Sequence, residues 1–501
     1  MLSLLWLMLA CNDKGVSETA LDTGEGTPGG GGNGGGAGTP PPPACTPNGF
    51  APSPTDFSLP AVYPSGNFAS FGNSSCPEDT SLVWTAFDLD GGGAVDAVGT
   101  GLCSGEGEIG KSSWAVHLGA GSGFAETATT FTLPVGYPAG TFDGVLGYDC
   151  PSGGALEWSL AQVDGDGQPD ILGVSLCDGS AGVGLMQWRV HSNTGAGFED
   201  VGTDWLLPVG YLPTTFDDLG NYACTESADL MWTPLDVDGD GFLDILGFSG
   251  CSADTVVGKS EWLLWRGTAA GVTDPPTSLS LPSAYPIASF DSVGLAFCEV
   301  GASPLWSLID INGDEWLDIV VTSVCNDPTI VGITQWTVHA GSSTGFEDVG
   351  TAYTLPVDVP PGNFLTMGDF VCDLGGSELM WALFDVTRDG RPDAVASSSC
   401  SGGGTIGKSE WRVYPGTSAG FGAATSWWLP NDQPAGVYDG LGNVDCPSAN
   451  ALVWTPADVG GDGVIDVVGT SLCDETGGVG FDHWTVYAGA CDVTAPATTP
   501  L

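Results

Sequence analysis

A tryptophan recurs six times along this chain at nearly fixed spacing: Trp84, Trp158, Trp232, Trp306, Trp381 and Trp454, 73 to 75 residues apart. A second series, Trp114, Trp188, Trp262, Trp336, Trp411 and Trp484, keeps the same steps. A Leu-Pro pair travels with them at Leu59-Pro60, Leu133-Pro134, Leu207-Pro208, Leu281-Pro282, Leu355-Pro356 and Leu429-Pro430. Six copies of one unit restrict the fold to a closed ring or a solenoid, because each copy buries its apolar face only against a neighbour. That outweighs the several domains that a length of 501 residues would otherwise allow.

Within a unit the apolar periodicity is that of short strands. Leu82 to Phe87, Val95 to Gly99, Trp114 to Leu118 and Thr130 to Leu133 read as four strands, and 79 glycines and 35 prolines supply turns. Four strands per unit match a propeller blade, so the expected fold is all-β: a six-bladed β-propeller of ~74-residue repeats. The stretch before each following unit, Tyr137 to Asp149 for example, is expected to form an extra loop or hairpin.

The turn between the first two strands is acidic. Repeat three shows it complete, as Asp236-Val237-Asp238-Gly239-Asp240-Gly241-Phe242-Leu243-Asp244. Oxygens at positions 1, 3, 5 and 9, with a backbone carbonyl at 7, can wrap a hard cation, and glycine at position 6 allows the bend. Position 7 should then tolerate any side chain, and it holds Ala94, Gln168, Phe242, Trp316, Arg391 and Val464. The candidate ligands in the other repeats are Asp88, Asp90 and Asp96; Gln162, Asp164, Asp166 and Asp170; Asp310, Asn312, Asp314 and Asp318; Asp385, Thr387, Asp389 and Asp393; and Asp458, Asp462 and Asp466. Glu315 replaces the glycine in repeat four, while Gly92 and Gly460 stand where repeats one and six lose an oxygen. Up to six calcium ions are expected, tightest in repeat three and weakest in repeats one and six; the rival reading is acidic turns that stay empty.

The loop is followed by Trp114-x-x-x-x-Gly119-x-x-x-Gly123-Phe124, with Gly345-Phe346 and Gly420-Phe421 at the same offsets and Gly271-Val272 departing. Over residues 55 to 490 this resembles the FG-GAP or VCBS repeat of integrin α-subunit propellers and bacterial surface proteins. The resemblance implies a propeller with calcium at these turns and says little about ligand.

The formal net charge is −52, from 61 acidic residues against 9 Lys plus Arg. No basic patch exists to neutralise phosphates, which excludes a nucleic-acid partner. Bound divalent cations would offset part of the charge.

Fifteen cysteines are present, and twelve fall two per repeat: Cys76/Cys103, Cys150/Cys177, Cys224/Cys251, Cys298/Cys325, Cys372/Cys400 and Cys446/Cys473. Cys45 and Cys491 bracket the array. In an exported chain the even count reads as disulfides. The pairs within each repeat, with Cys45–Cys491, form the favoured set. Cys103–Cys150 and its equivalents, with Cys45–Cys76 and Cys473–Cys491, form the other.

The remaining cysteine, Cys11, ends the run Met8-Leu9-Ala10-Cys11 after an apolar Met1 to Ala10 segment. This resembles the lipobox of bacterial lipoproteins, so residues 1–10 are expected to be a signal peptide and Cys11 the lipidated residue. Asn12 in place of Asp favours the outer membrane or cell surface, by the common sorting rule; an ordinary secretory signal is the alternative. Residues 11–44, rich in Gly, Thr and Pro, read as a flexible tether, 45–491 as the propeller, and 492–501 as a disordered tail.

Catalysis needs a cluster present once, and the repeat leaves none: there is no Gly-x-Ser-x-Gly or His-Glu-x-x-His, and His117, His191 and His339 are themselves periodic. Trp205, Trp427, Trp428 and Trp316 lie off the main series and stand as exposed candidates for sugar stacking. The expected function is a non-catalytic, calcium-stabilised, surface-anchored binding or adhesion module. It would be a monomer, facing an extracellular protein or glycan and touching the membrane only through its lipid. A carbohydrate-binding lectin and a propeller-fold hydrolase or lyase are the alternatives.

The two ends of the array suggest how a ring would close. The sixth unit stops after Trp484 to Gly489 without a Leu-Pro strand, whereas Asp56-Phe57-Ser58-Leu59-Pro60 is such a strand with nothing before it. The N-terminal strand is therefore expected to complete the sixth blade, leaving no exposed edge.

Overall fold

A computed structural model of the chain describes residues 48–62, 82–135, 156–176, 182–184, 186–208, 230–250, 256–283, 304–324, 330–357, 379–399, 404–430, 452–473, 478–491 and 493. The leader, Cys11, the tether and the stretch Tyr137 to Asp149 lie outside them. The described residues form strands and turns, and no helix among them is long and apolar enough to cross a membrane.

The strands form six sheets, each with a four-stranded antiparallel meander. In the first, Leu82–Phe87 pairs with Asp96–Leu102, then Ser113–His117, then Thr129–Thr132. The second to fourth strands start or end a residue or more away from the sequence boundaries. The fourth stops at Thr132 because Pro134 has no N–H to continue the ladder, and the Leu133 amide turns back to the Ser112 carbonyl at 2.9 Å. Each second strand opens on the ninth residue of its acidic turn, so loop and sheet share one residue.

Burial falls off across each sheet. The second strands Asp244–Gly250 and Asp393–Ser399 are buried at every residue. The fourth strands Thr129–Thr132, Thr203–Leu206, Thr277–Ser280 and Thr351–Thr354 bury only their third residue. Such a gradient follows when sheets pack face to face around an axis and the last strand lies outermost.

Six apolar clusters hold the sheets together, and each joins one unit to the next. Trp114 lies with Trp158, Trp188 with Trp232, Trp262 with Trp306, and Trp411 with Trp454. Trp336 packs among residues of the fourth and fifth units. The cycle closes where Trp484 of the last unit lies with Trp84 of the first. A buried aromatic side chain contributes roughly 4–6 kcal/mol of transfer free energy, so these faces rather than the turns dominate the stability of the ring. The arrangement is a β-propeller.

The N-terminal segment meets the end of the array in two places. Thr55–Ser58 is the fourth strand of the last sheet, with Phe57 opposite Trp484 in antiparallel register. The second contact has no counterpart among the sequence expectations. In five units a Gly-Phe or Gly-Val step crosses to the preceding sheet and pairs in parallel with its fourth strand: Gly123 with Ser58, Gly197 with Thr132, Gly271 with Leu206, Gly345 with Ser280 and Gly420 with Thr354. At the sixth position the partner of Trp428 is Gly49, from the N-terminal segment. Gly49–Phe50 also pairs antiparallel with Gly489–Ala490, replacing the hairpin that Gly119–Ala120 makes with Gly123–Phe124 within the first unit. Glycine is required at the crossing because a β-carbon on Gly123 would lie 2.6 Å from the Ser58 nitrogen, with φ at +144°. The following ring then packs edge-on against the third-strand tryptophan of the preceding unit: Phe124 on Trp484, Phe198 on Trp114, Phe346 on Trp262, Phe421 on Trp336 and Phe50 on Trp411.

Candidate functional site

The six acidic turns share one scaffold, built from the ninth residue outward. Asp96, Asp170, Asp244, Asp318, Asp393 and Asp466 are at most 5% exposed. One carboxylate oxygen of each accepts the amide of loop position 2, at 2.9–3.3 Å. The other accepts an amide 23 residues downstream, just past the third strand, at 2.6–2.9 Å. This aspartate thus fastens the loop to the sheet. In Asp170, Asp244 and Asp466 each oxygen accepts one such amide and keeps a second lone pair that could face a cation, whereas Asp96, Asp318 and Asp393 also accept donors from position 3 of their own loops.

Burial pushes these carboxyls well above the ordinary aspartate range, only partly offset by the amides they accept. Asp96, Asp170, Asp244, Asp318 and Asp466 are raised to about 7 and Asp393 to about 6. Desolvation also raises Asp458, to about 6, and lifts Asp236 and Asp385. Repulsion from neighbouring loop carboxylates adds to each of these shifts. Such a site favours either protons or a bound cation.

The first loop residue shapes the turn. Asp88, Asp236, Asp310, Asp385 and Asp458 accept amides from positions 4 to 6. At position 5, Asp166, Asp240, Asp314, Asp389 and Asp462 each accept the position 7 amide at 2.8–3.1 Å. Positions 4 and 6 both run at positive φ, including two that are not glycine, Arg388 at 61° and Glu315 at 76°. The ligand spacing alone points only to position 6.

The loops differ at position 3. Ligand atoms of Asp88, Asp90 and Asp96 lie within 4.8 Å of one another, as do those of Asp236, Asp238 and Asp244. Repeat one thus gathers three carboxylates at the same spacing as repeat three. Its missing position 5 oxygen lies outside the triad. In repeat four, Asn312 turns its Nδ2 toward Asp314 and Asp318, at 3.1–3.3 Å. In repeat five, the Thr387 hydroxyl donates to Asp393 at 3.4 Å. Both side chains donate to the acids of their own loops. Asp164 of repeat two accepts the Asp166 amide at 3.2 Å.

Two atoms bear directly on whether a cation fits. Asp238 Oδ1 and Gln162 Oε1 are buried and have no hydrogen-bond partner. A buried acceptor without a donor costs about 1–3 kcal/mol, a penalty that a coordinated ion would remove. The oxygen-only donor set suits calcium better than a soft metal.

Neighbouring loops touch all the way round. Gly91 lies against Gln168, Gly165 against Phe242, Gly239 against Glu315, Gly313 against Arg391, Arg388 over Gly463, and Gly461 against Ala94. The Arg391 side chain donates from Nε to the Asn312 carbonyl at 2.8 Å, and the Leu317 amide reaches the Val237 carbonyl at 3.2 Å. The acidic turns thus form a continuous collar, each bearing on the next through positions 4 and 6 or 7.

Other candidates are placed differently. Trp205 and Trp427 are buried, and Trp205 stacks on Trp188 with centroids 5.1 Å apart, so neither offers a sugar platform. Trp316 and Trp428 are half-buried. His117, His191 and His339 are buried, each with Nδ1 at 2.7–2.8 Å from a backbone carbonyl eight residues on. They brace strands.

Of the cysteines expected to pair, Cys103, Cys473 and Cys491 lie among the described residues and are disulfide-bonded. Cys177, Cys251, Cys325 and Cys400 lie outside the described residues, each one position beyond the end of a second strand: Asp170–Leu176, Asp244–Gly250, Asp318–Val324 and Asp393–Ser399. Cys45, Cys76, Cys150, Cys224, Cys298, Cys372 and Cys446 lie outside them too. The described residues therefore do not choose between the two disulfide sets.

No protein-family model and no curated protein matches the chain. Among solved structures, the Photorhabdus luminescens Tc holotoxin pore is similar at 14% identity and a TM-score of 0.42, over 89% of this chain but 15% of that one. The TcdB2–TccC3 structure gives 14% identity and a TM-score of 0.31, over 88% and 16%. The V. cholerae biofilm matrix protein Bap1 gives 11% identity and 0.21, over 91% and 90%. The chain spans about a sixth of the length of the two toxin chains.

Proposed function

We propose that the chain is a six-bladed propeller of the FG-GAP/VCBS type, calcium-stabilised and non-catalytic, which serves as a binding or adhesion module at a cell surface. The carrying observation is the collar, six acidic turns in mutual contact whose ninth carboxylates are buried against backbone amides. Repeated chemistry of this kind suits a rigid platform held by ions better than a single reacting centre. Cys11 would carry the lipid and the Gly/Pro/Thr segment would hold the platform away from the membrane. The six local disulfides with Cys45–Cys491 belong to the same reading.

Two measurements test it. The melting temperature should fall in excess chelator and return with calcium, because an ion that binds only the folded state adds RT ln(1 + [L]/Kd), about 2.7 kcal/mol per site at a hundredfold excess. A glycan and matrix-protein array probed with the calcium-loaded protein should give a ligand lost on chelation. An unchanged melt in chelator removes the calcium reading, and turnover of any arrayed substrate removes the non-catalytic one.

A further inference from the structure

Arg266 reaches the third acidic loop from a position where no other unit has a basic residue. It follows the third-strand tryptophan by four positions, and the residues there in the other units are Leu118, Ser192, Ala340, Pro415 and Ala488. Its Nη1 lies 3.2 Å from Asp238 Oδ2, and its guanidinium carbon lies 5.3 Å from the ring centre of Trp316, at position 7 of the fourth loop. The Asp238 side chain is 5% exposed, and its other oxygen, Oδ1, is buried without a partner. The Asp236, Asp238 and Asp244 carboxylates meanwhile converge within 4.8 Å.

We infer that Arg266 is a built-in counter-ion of the third loop, holding Asp238 when no metal is bound and opposing any divalent ion that enters the Asp236, Asp238 and Asp244 triad. The inference rests on the reading that these loops bind divalent cations. A guanidinium and a divalent ion sharing one carboxylate repel each other; Asp238 is 5% exposed, and the Arg266 side chain, at 37%, leaves part of that repulsion screened by water. Trp316 provides a second seat for the guanidinium, over the face of an indole ring. Ion entry at loop three is thereby tied to the position of a side chain in loop four. The loop richest in carboxylates becomes the one least dependent on metal, and its calcium affinity falls below that of the first loop, where Leu118 stands in place of the arginine.

The test uses the full chain, stripped with chelator and titrated with calcium by calorimetry, as wild type, Arg266→Leu and Arg266→Lys. Arg266→Leu should tighten one site about tenfold or more and lower the melting temperature of the calcium-free protein, and calcium should restore the wild-type melt. Arg266→Lys, which keeps the charge, should stay within about threefold of the wild-type affinity and remains informative if the leucine variant does not fold. The inference is overturned if Arg266→Leu leaves every affinity unchanged or weaker while ions still bind, or if the lysine variant tightens binding as leucine does. Absence of calcium binding in all three proteins removes the cation reading itself, an outcome distinct from either.

Discussion

Asn48 and Val493, 445 positions apart, exchange two hydrogen bonds: Asn48 Nδ2 donates to the Val493 carbonyl at 3.1 Å, and the Val493 amide donates to Asn48 Oδ1 at 2.9 Å. They extend the pairing of Gly49–Phe50 with Gly489–Ala490, so the ring is joined by two segments remote in sequence rather than by a hairpin.

The joint should be worth far more than its length suggests. Phe50 packs edge-on against Trp411 and Trp427, and Phe57 stacks on Trp484 with centroids 6.2 Å apart. Phe50→Ala and Phe57→Ala are each expected to cost about 3–5 kcal/mol in urea unfolding. Removing residues 46 to 62 should leave no cooperative transition at the wild-type midpoint. A soluble monomer with an unchanged melt would mean that these segments do not close the ring.

Glycines of one hairpin should respond oppositely. A methyl on Gly123 would lie 2.6 Å from the Ser58 nitrogen, whereas nothing lies within 4 Å of one on Gly121. Gly123→Ala should destabilise by more than about 2 kcal/mol, and Gly121→Ala should stay within about 0.5 kcal/mol. Denaturant midpoints of the two variants decide the matter.

The ninth aspartates should behave as structural clamps as well as ion ligands. Asp244→Ala strands two backbone amides, at Val237 and Gly267, and should cost about 2–6 kcal/mol even in chelator. Asp240→Ala, which loses only the turn bond to Phe242, should cost about 1 kcal/mol without metal. Equal losses for the two would contradict the clamp.

Acidity should separate the metal-free from the metal-bound protein. Carboxyls whose folded pKa stands near 6–7, against 3.8 when unfolded, give the folded state extra protons between those limits. Their contribution is full below about pH 4 and is lost as pH rises through 7. His191 works the other way, since burial lowers its pKa and its stabilisation is lost as pH falls below 6.5. One imidazole faces six clamps, so in chelator the melt should drop from pH 5 to pH 8. With calcium the same interval should show a flat or rising melt, because the ion replaces the protons. A melt that rises with pH in chelator would argue against buried, uncompensated carboxylates.

Much of the molecule is legible in its sequence because it is written in period. Among the described side chains the two tryptophan series mark the faces between sheets, and the acidic turns read correctly as loops entering the second strand. Other features depend on contacts between units, which one-dimensional spacing does not carry. Phe50 escapes a reading by repeats, although it precedes Phe57 by the same seven residues that separate Phe124 from Phe131 and Phe198 from Trp205. Trp205 looks like a surface residue beside a Leu-Pro pair, but its strand turns it inward onto Trp188. The surroundings of the acidic loops depend on such contacts as well. Counting oxygens ignores Arg266, which arrives from the third strand, and Asn312, whose amide faces the acids.

A joint made from segments so far apart in the chain sets an order of assembly. During synthesis the segment from Asn48 to Ser58 emerges before every blade, yet its partners Trp428, Trp484 and Ala490 emerge after almost all of them. Until then Gly49–Phe50 and Thr55–Ser58 lack their final neighbours at the joint, and each presents an open strand edge to other chains. Lengthening the intervening chain raises the entropic cost of closure only logarithmically, so the wait rather than the distance is the hazard. Anything that shields residues 48–58 while the rest of the chain is made would therefore govern yield without touching the finished molecule.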